Sequence, residues 1–600
     1  MMEFSERTIV GIFQNRADTY KYETLLRYKD NGAFQDLSWN EIQKRVIFLG
    51  RGLISLGVQP GDMVSIFSEN RWEWLVADLA VLSIGACDVP IYATNSGEEA
   101  AYIINDSSSG IVFVSDKDHL EKILDVRKKL IGLQKIITFD ELGSDDDYVI
   151  SLAEVMALGE SVGIEAFDER AGAIDPTGLA TLIYTSGTTG PPKGVMLTHE
   201  NIQANIMQAF ATHPCLSHAD ETLNILPWSH SLGRTISLYT MIHAGGVVSI
   251  AESFAHVLEN LQEIRPTILI SVPRLYEKMY GGILSKVEKA PPLKKKMFFW
   301  ASSVAERAAD YLVHKKPMPV GLKLQYNLAD SVIFSKLRAA LGLDRLRFSI
   351  TGGAALSLQI DRFLNGIGVM LHSAYGITEA SPGVTVNTFE NFSFGTVGRP
   401  FPDTDIRIAE DGEIIITGPQ IMKGYYNQSD ATKEAFTSDG WFRTGDVGFV
   451  DDDGFLRLTD RKKDIIITAG GKNISPQNIE NTLVSDQYIE QAVVIGDGRK
   501  YLSALVIPAF NDLMEYAAQQ GISATDNQEL IADPKVIAFY DERVKHLMKD
   551  YANVEQLRKF TLLPRELSIE EEELTPTLKI KRKVINEKYA GIIAQMYPGD

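Results

Sequence analysis

Short apolar runs alternate with longer helix-period stretches along most of this chain, and that alternation leaves few architectures open. "DMVSIF" precedes the helical "RWEWLVADLAVLSIGA", then come "IVFVS", another helix and "KIITF". "TLNILP", "GGVVSIA", "TILISV" and "RLRFSITGG" repeat the scheme further on. Strands that are apolar throughout need cover on both faces, and intervening helices supply it, so the pattern predicts an α/β fold with mostly parallel, doubly wound sheets. Near residue 400 the texture changes. "TDIRIAEDGEIIITG" and "GWFRTGDVGFVDDDGFLRLTD" predict short strands joined by Asp-Gly turns, hence hairpins in a small β subdomain. After "DRKKD" the chain returns to mixed α and β, with "AVVIGD" and "SALVIPAF" as strands. Its 600 residues exceed what one core serves, so two domains are expected, 1–462 and a smaller α+β unit, 463–600.

One loop stands out from this frame. "YTSGTTGPPKG", residues 184–194, follows the apolar "LATLIY" and precedes the helical "HENIQANIMQAFA". Its glycines let backbone N–H groups approach an anion, its hydroxyls donate further hydrogen bonds, and Lys193 adds a full charge. A strand–loop–helix unit of this kind predicts a phosphate site. It is not the common P-loop: counted from Gly187, Pro192 precedes the lysine, and Gly194 stands where a metal-binding Ser or Thr would.

Charge narrows the partners. There are 59 Lys and Arg against 79 Asp and Glu, a net charge of −20, which argues against a broad nucleic-acid surface but not against small anionic ligands. The two cysteines, Cys87 and Cys215, have neither a disulfide framework nor a metal spacing, so a reducing compartment is expected. "MMEFSERTIVGIFQ" has acidic residues where a signal peptide needs basic ones, and no apolar run approaches the ~18 residues of a spanning helix. The expectation is a cytoplasmic protein.

Five further stretches appear in order: "TGGAAL" (351–356), "YGITE" (375–379), "FRTGDVG" (442–448), "DRKKDIIITAGGKNISPQNIE" (460–480) and "LTPTLKIKRK" (574–583). With "YTSGTTGPPKG", this set resembles the adenylate-forming enzymes, which include acyl- and aryl-CoA ligases, firefly luciferase and peptide-synthetase adenylation domains. "SVPRLYEK" (271–278), the basic helical insert near 285–340 and "SKLRAALGLDRLRFSITGGAAL" are similar to the long-chain fatty acyl-CoA ligase branch. One departure is plain. "LPWSHSLGR" (226–234) has Leu232 and Gly233 where that branch carries an aromatic residue and a glutamate, in a region near the family's acyl pocket.

The resemblance implies two steps: a fatty carboxylate attacks the α-phosphorus of ATP to give acyl-AMP and pyrophosphate, and coenzyme A then displaces AMP. It implies Mg²⁺ with ATP, and a role for each motif residue. Thr185, Ser186, Gly187, Thr188, Thr189, Gly190 and Lys193 would hold the β- and γ-phosphates. Glu379 and Thr185 would bind the ion, with Thr378 beside them. Tyr375 and Gly376 would lie at the adenine, which Gly353 and Ala354 let the backbone approach. Asp446 would accept the ribose hydroxyls, and Arg461 adds a further nucleotide contact. Lys579 would be the catalytic lysine of the small domain, Lys463 the hinge on which that domain moves, and His230 part of the acyl or thiol tunnel.

Two alternatives have distinguishing features. A fatty-acyl-AMP ligase that loads a carrier protein has an extra segment after the hinge motif, and none is evident here. A non-catalytic acyl- or nucleotide-binding module would lack Glu379, Asp446 or Lys579, and all three are present. Finally, "KKKMFFWASSVAERAADYLVHKK" (294–316) places Met297, Trp300, Val304, Ala308 and Tyr311 at helical spacing with lysines at both ends. Such a helix is a candidate for peripheral contact with an anionic membrane at its inner face; the competing expectation is that the stripe packs on the protein itself.

Overall fold

The computed structural model describes residues 6–143, 146–185, 191–470, 472–568, 571–575 and 580–598. Among these, strands form an eight-stranded and a nine-stranded sheet, a four-stranded antiparallel sheet, and a three-stranded sheet beyond residue 462. The α/β expectation holds, with two mostly parallel sheets in the large part of the chain.

The eight-stranded sheet contains β1 (Met63–Phe67), β2 (Cys87–Ile91), β3 (Leu179–Thr185) and β4 (Lys193–Thr198). Helix α1 (Trp72–Ser83) joins β1 to β2, and it is buried nearly all round because sheet and neighbouring helices enclose it. β3 and β4 are antiparallel, with Thr185 opposite Lys193 and Tyr184 opposite Gly194. Only after β4 does α2 (His199–Thr212) begin, capped by Thr198, whose side chain accepts from the Asn201 N–H. The loop "YTSGTTGPPKG" is therefore a hairpin connection and not the predicted strand–loop–helix. Six residues, "KGVMLT", gain strand structure by pairing with β3.

In the helical insert, α3 (Pro273–Glu288) is followed by α4 (Pro292–Val313) and α5 (Val320–Ala329). Ala301, Val304, Ala305, Ala308 and Ala309 of α4 are buried against α6 (Leu358–Gly366). The small side chains allow a close crossing: a Cβ on Gly366 would come within 2.3 Å of the Ala305 carbonyl oxygen. The competing expectation thus holds for Val304 and Ala308. Met297 and Trp300 stay exposed and Tyr311 is half-buried. Among the described residues, no helix is long and apolar enough to cross a membrane.

The nine-stranded sheet ends in an antiparallel edge that includes β5 (Leu371–Gly376). A buried histidine pair braces it: His213 Nε2 and His372 Nδ1 lie 2.9 Å apart, and Phe348 stacks on both rings. Burial pushes His213 down to about 4 and His372 down to about 3, so both are neutral at pH 7. Below pH ~6.5 the unfolded chain takes up protons that the folded chain refuses, so their contribution is complete above that pH and lost as pH falls toward 4. Thermal unfolding from pH 7 to 5 should show stability falling by about 1.4 kcal/mol per pH unit for each such histidine. The double variant His213→Leu/His372→Leu should have a visibly shallower slope; an unchanged slope assigns the pH dependence to other groups.

The predicted hairpins near residue 400 are present. They form a sheet that includes β7 (Phe442–Val450) and β8 (Leu456–Arg461), with Asp-Gly at both hairpin turns; β6 (Gly424–Tyr425), which precedes them, pairs instead with β4. Apolar clusters up to residue 456 and those from residue 466 onward are separate. Contacts across the two parts are polar. Arg274 pairs with Glu490, Lys289 with Glu515 at 2.7 Å, and Ser285 donates to Asp512 at 3.2 Å, all from α3 or the residue after it.

Candidate active site

Strand pairing brings two groups of predicted residues together. In the first, β5 ends in Tyr375 and Gly376, and the next turn carries Thr378 and Glu379. The Tyr375 hydroxyl donates to Asp446 Oδ2 at 2.6 Å, and Arg461 Nε donates to Asp446 Oδ1 at 3.1 Å. Asp446 and Arg461 are direct partners in the β7–β8 ladder, so the sheet itself fixes this pair. Burial, then the nearby Asp446 carboxylate, pushes the Tyr375 phenol far above its ordinary value, so it remains a donor. Surrounding protein works against the Arg461 charge, but Asp446, Glu379 and Tyr375 together hold its pKa above the usual value.

In the second group, Thr185 and Lys193 sit opposite each other at the two ends of the hairpin loop. Lys193 Nζ lies 4.9 Å from the ring centroid of Tyr425, whose hydroxyl donates to Glu379 Oε1 at 2.9 Å. The loop's lysine and the glutamate are thus linked through one ring. Tyr425 is absent from the sequence reading: it contacts both partners only because β6 pairs with β4.

Gly353 and Ala354 are exposed on the turn after the strand Phe348–Thr351. His230 is half-buried, its Nδ1 accepts from the Leu232 N–H at 3.2 Å, and Tyr92 is its ring neighbour. The adjacent Ser231 donates to Thr378 Oγ1 at 3.3 Å, which ties this segment to the Glu379 turn. Lys463 is exposed just past the end of β8. Ser186, Gly187, Thr188, Thr189, Gly190 and Lys579 lie outside the described residues.

Arg234, four residues past His230, is 1% exposed and enters a charged network that motif reading did not find. It pairs with Asp78 and, at 2.6 Å, with Asp88; Tyr239 accepts from its Nε at 2.8 Å and donates to Asp78 at 2.6 Å. A separate cavity of about 710 Å³ is lined by Met63, Cys87, Leu179 and His199 among others. It opens at the N-terminal ends of β1, β2 and β3, whereas the loop between β3 and β4 leaves the C-terminal end of β3, so the cavity does not belong to this site.

The profile of a family described as AMP-binding enzyme matches residues 13–426, and that of the AMP-binding enzyme C-terminal domain matches 463–600. The chain is 37% identical over 591 residues to long-chain-fatty-acid–CoA ligase FadD15 of Mycobacterium bovis, covering 98% of this chain and 96% of that protein. It is 31% identical over 620 residues to long-chain-fatty-acid–CoA ligase ACSBG1 of Homo sapiens, covering 98% of this chain and 85% of the relative. The adenylation domain of a carboxylate reductase from Mycobacterium chelonae superposes with a TM-score of 0.79 at 20% identity, over 98% of this chain and 91% of that one.

Proposed function

Because the chain belongs to the AMP-binding enzyme family, we propose that it is a long-chain fatty acid–CoA ligase, which uses ATP to convert a medium- to long-chain fatty acid to acyl-AMP and then to acyl-CoA. The observation that carries this reading is the gathering of Lys193 and Glu379 around Tyr425 and of Asp446 with Arg461 and Tyr375, with Glu379 near enough to act on the Arg461 charge. Joining a carboxylate to a phosphoryl group brings two anions together, so the work is positioning and charge stabilisation. Lys193 and the loop before it take the β- and γ-phosphates. Asp446 accepts from the ribose hydroxyls, and Tyr375 and Gly376 border the adenine.

The donor set fits Mg²⁺. Glu379 offers a carboxylate with one oxygen engaged by Tyr425, Thr378 adds a hard oxygen in the same turn, and Thr185, opposite Lys193 across the hairpin, would add another. When bound, such an ion offsets the phosphate charge. The division at residue 462, with Lys463 as hinge and Lys579 as the lysine delivered by the small domain, completes the reading.

ATP–pyrophosphate exchange over carboxylates from acetate to long chains, with aryl acids included, tests the substrate. Exchange should be fastest with medium to long chains; a maximum at acetate or at an aromatic acid overturns the assignment.

The reading extends to an anionic lipid surface at the inner membrane face. Residues 285–340 hold 11 Lys and Arg against 4 Asp and Glu, in a chain of net charge −20. Leu293, Met297, Phe299 and Trp300 of α4 are exposed, as are Val320 and Leu324 of α5, at 77% and 66%. An exposed apolar face flanked by lysines suits an anionic interface. The protein should co-sediment with anionic vesicles, and changing Lys294, Lys295 and Lys296 to Glu should sharply reduce this; undiminished binding rejects the contact.

A further inference from the structure

Tyr425 occupies a position for which neither the motifs nor the proposed reaction supply a role. It lies on β6, a two-residue strand at the edge of the eight-stranded sheet, opposite Val195 of β4. Hydrogen bonds hold this segment on both sides: Lys423 N–H donates to the Met196 carbonyl at 3.0 Å, and Tyr426 N–H to that of Gly194 at 2.8 Å. Met422 N–H donates to the backbone carbonyl of Glu379 itself at 2.8 Å. The segment therefore joins the strand that carries Lys193 to the turn that carries Glu379. Its path is crowded, since a Cβ on Gly424 would come within 2.7 Å of Thr432, where φ is already +143°. Thr432 Oγ1 in turn accepts from the Tyr425 N–H at 2.9 Å. The backbone beneath the ring is thus fixed from three directions.

The side chain uses both of its chemistries. The ring face lies under the Lys193 ammonium, an arrangement that favours a cation through the ring quadrupole. The hydroxyl donates to Glu379 Oε1. An unanchored glutamate beside an unanchored lysine would pair with it. With Tyr425 between them, each is held separately and remains available to an incoming ligand.

We propose that Tyr425 is a positioning residue for nucleotide binding: its ring sets Lys193 for the phosphates, and its hydroxyl sets Glu379 for the divalent cation that accompanies them. This rests on the roles given above to Lys193 and Glu379. The two chemistries separate by substitution. Tyr425→Phe keeps the ring and removes the hydroxyl; Tyr425→Leu removes both.

Equilibrium binding of Mn²⁺ to the enzyme with a non-hydrolysable ATP analogue, read by electron paramagnetic resonance, is the primary measurement. Metal-free binding of the analogue by calorimetry is the second. Tyr425→Phe should weaken Mn²⁺ binding about tenfold, the scale of a hydrogen bond to a charged group, and leave metal-free binding unchanged. Tyr425→Leu should show the same Mn²⁺ loss and also weaken metal-free binding about threefold. In a Glu379→Gln background, Tyr425→Phe should add less than twofold. Thermal unfolding of the ligand-free variants checks that the fold is retained.

Equal loss from Phe and Leu in both measurements, or full additivity with Glu379→Gln, would reduce Tyr425 to a packing residue and overturn the proposal. So would unchanged Mn²⁺ binding in Tyr425→Phe while Glu379→Gln and Lys193→Met each weaken their own ligand. If those two variants also bind normally, the failure lies in the reading of the site itself.

Discussion

Replacing Lys579 with alanine should lower acyl-adenylate formation by ~10²–10³-fold, the loss typical of one preorganised electrostatic donor, and leave conversion of supplied acyl-AMP to acyl-CoA nearly unchanged. The reason is timing. Charge builds at the α-phosphorus only while the carboxylate attacks it, so a lysine delivered for that step has no comparable task when a thiol displaces AMP. The described residues that precede and follow Lys579 in sequence are firmly held. Leu574 and Ile580 form an antiparallel bridge on either side of it, and the Lys581 N–H donates to the Glu573 carbonyl at 2.9 Å. Glu573 is itself fastened: burial alone would raise its pKa, but hydrogen bonds from Arg565, Tyr589 and Lys588 hold it down at about 2. Lys581→Ala removes the same charge from the same run and serves as control. If both variants lose both half-reactions alike, the run acts as a diffuse field and Lys579 has no distinct role.

Arg234→Leu should destabilise the protein by about 3–5 kcal/mol, because it leaves two buried carboxylates without their cation. Asp78 and Asp88 are 0% exposed, and burial pushes Asp78 up to about 7 even with the guanidinium beside it. Asp88 also accepts from Thr181 of β3 at 2.7 Å, so the loss should spread into the sheet that carries Lys193. Adding Asp78→Asn and Asp88→Asn to Arg234→Leu should recover part of the stability, since neutral amides cost less to bury than unpaired charges. Chemical unfolding of the single and triple variants measures both effects. A loss below about 1 kcal/mol for the single variant would mean that water or protonation already satisfies the carboxylates.

The parts of this structure that were legible in the sequence are those encoded locally. Apolar runs marked four strands in each of the two large sheets, and Asp-Gly pairs marked the hairpins. β2, "CDVPI", escaped because Asp88 and Pro90 both argue against a central strand. What permits Asp88 there is Arg234, far along the chain, and no local pattern encodes that contact. β4 escaped for a related reason: it is short and follows two prolines, and its strand character comes from β3. The site divides in the same way. Thr378 with Glu379, and Asp446 with Arg461, belong to motifs or to one hairpin, whereas the Tyr425 contacts arise from a two-residue strand pairing at a sheet edge. For 294–316 the sequence showed the helix and left two covers open for its stripe; packing on the protein holds for Val304 and Ala308, and only the contact with α6 decides it.

The seam between α3 and the part of the chain beyond residue 462 has a mechanical meaning. Arg274, Ser285 and Lys289 meet Glu490, Asp512 and Glu515 there, and among the described residues no apolar cluster spans the two sides. When such a joint opens, water and dissolved ions take over the severed pairs, so little free energy is needed to part it and little is gained by closing it. Because the apolar clusters on the two sides are separate, parting the joint adds little to the apolar surface the molecule already shows. Dissolved salt sets how tightly a joint of that kind rests.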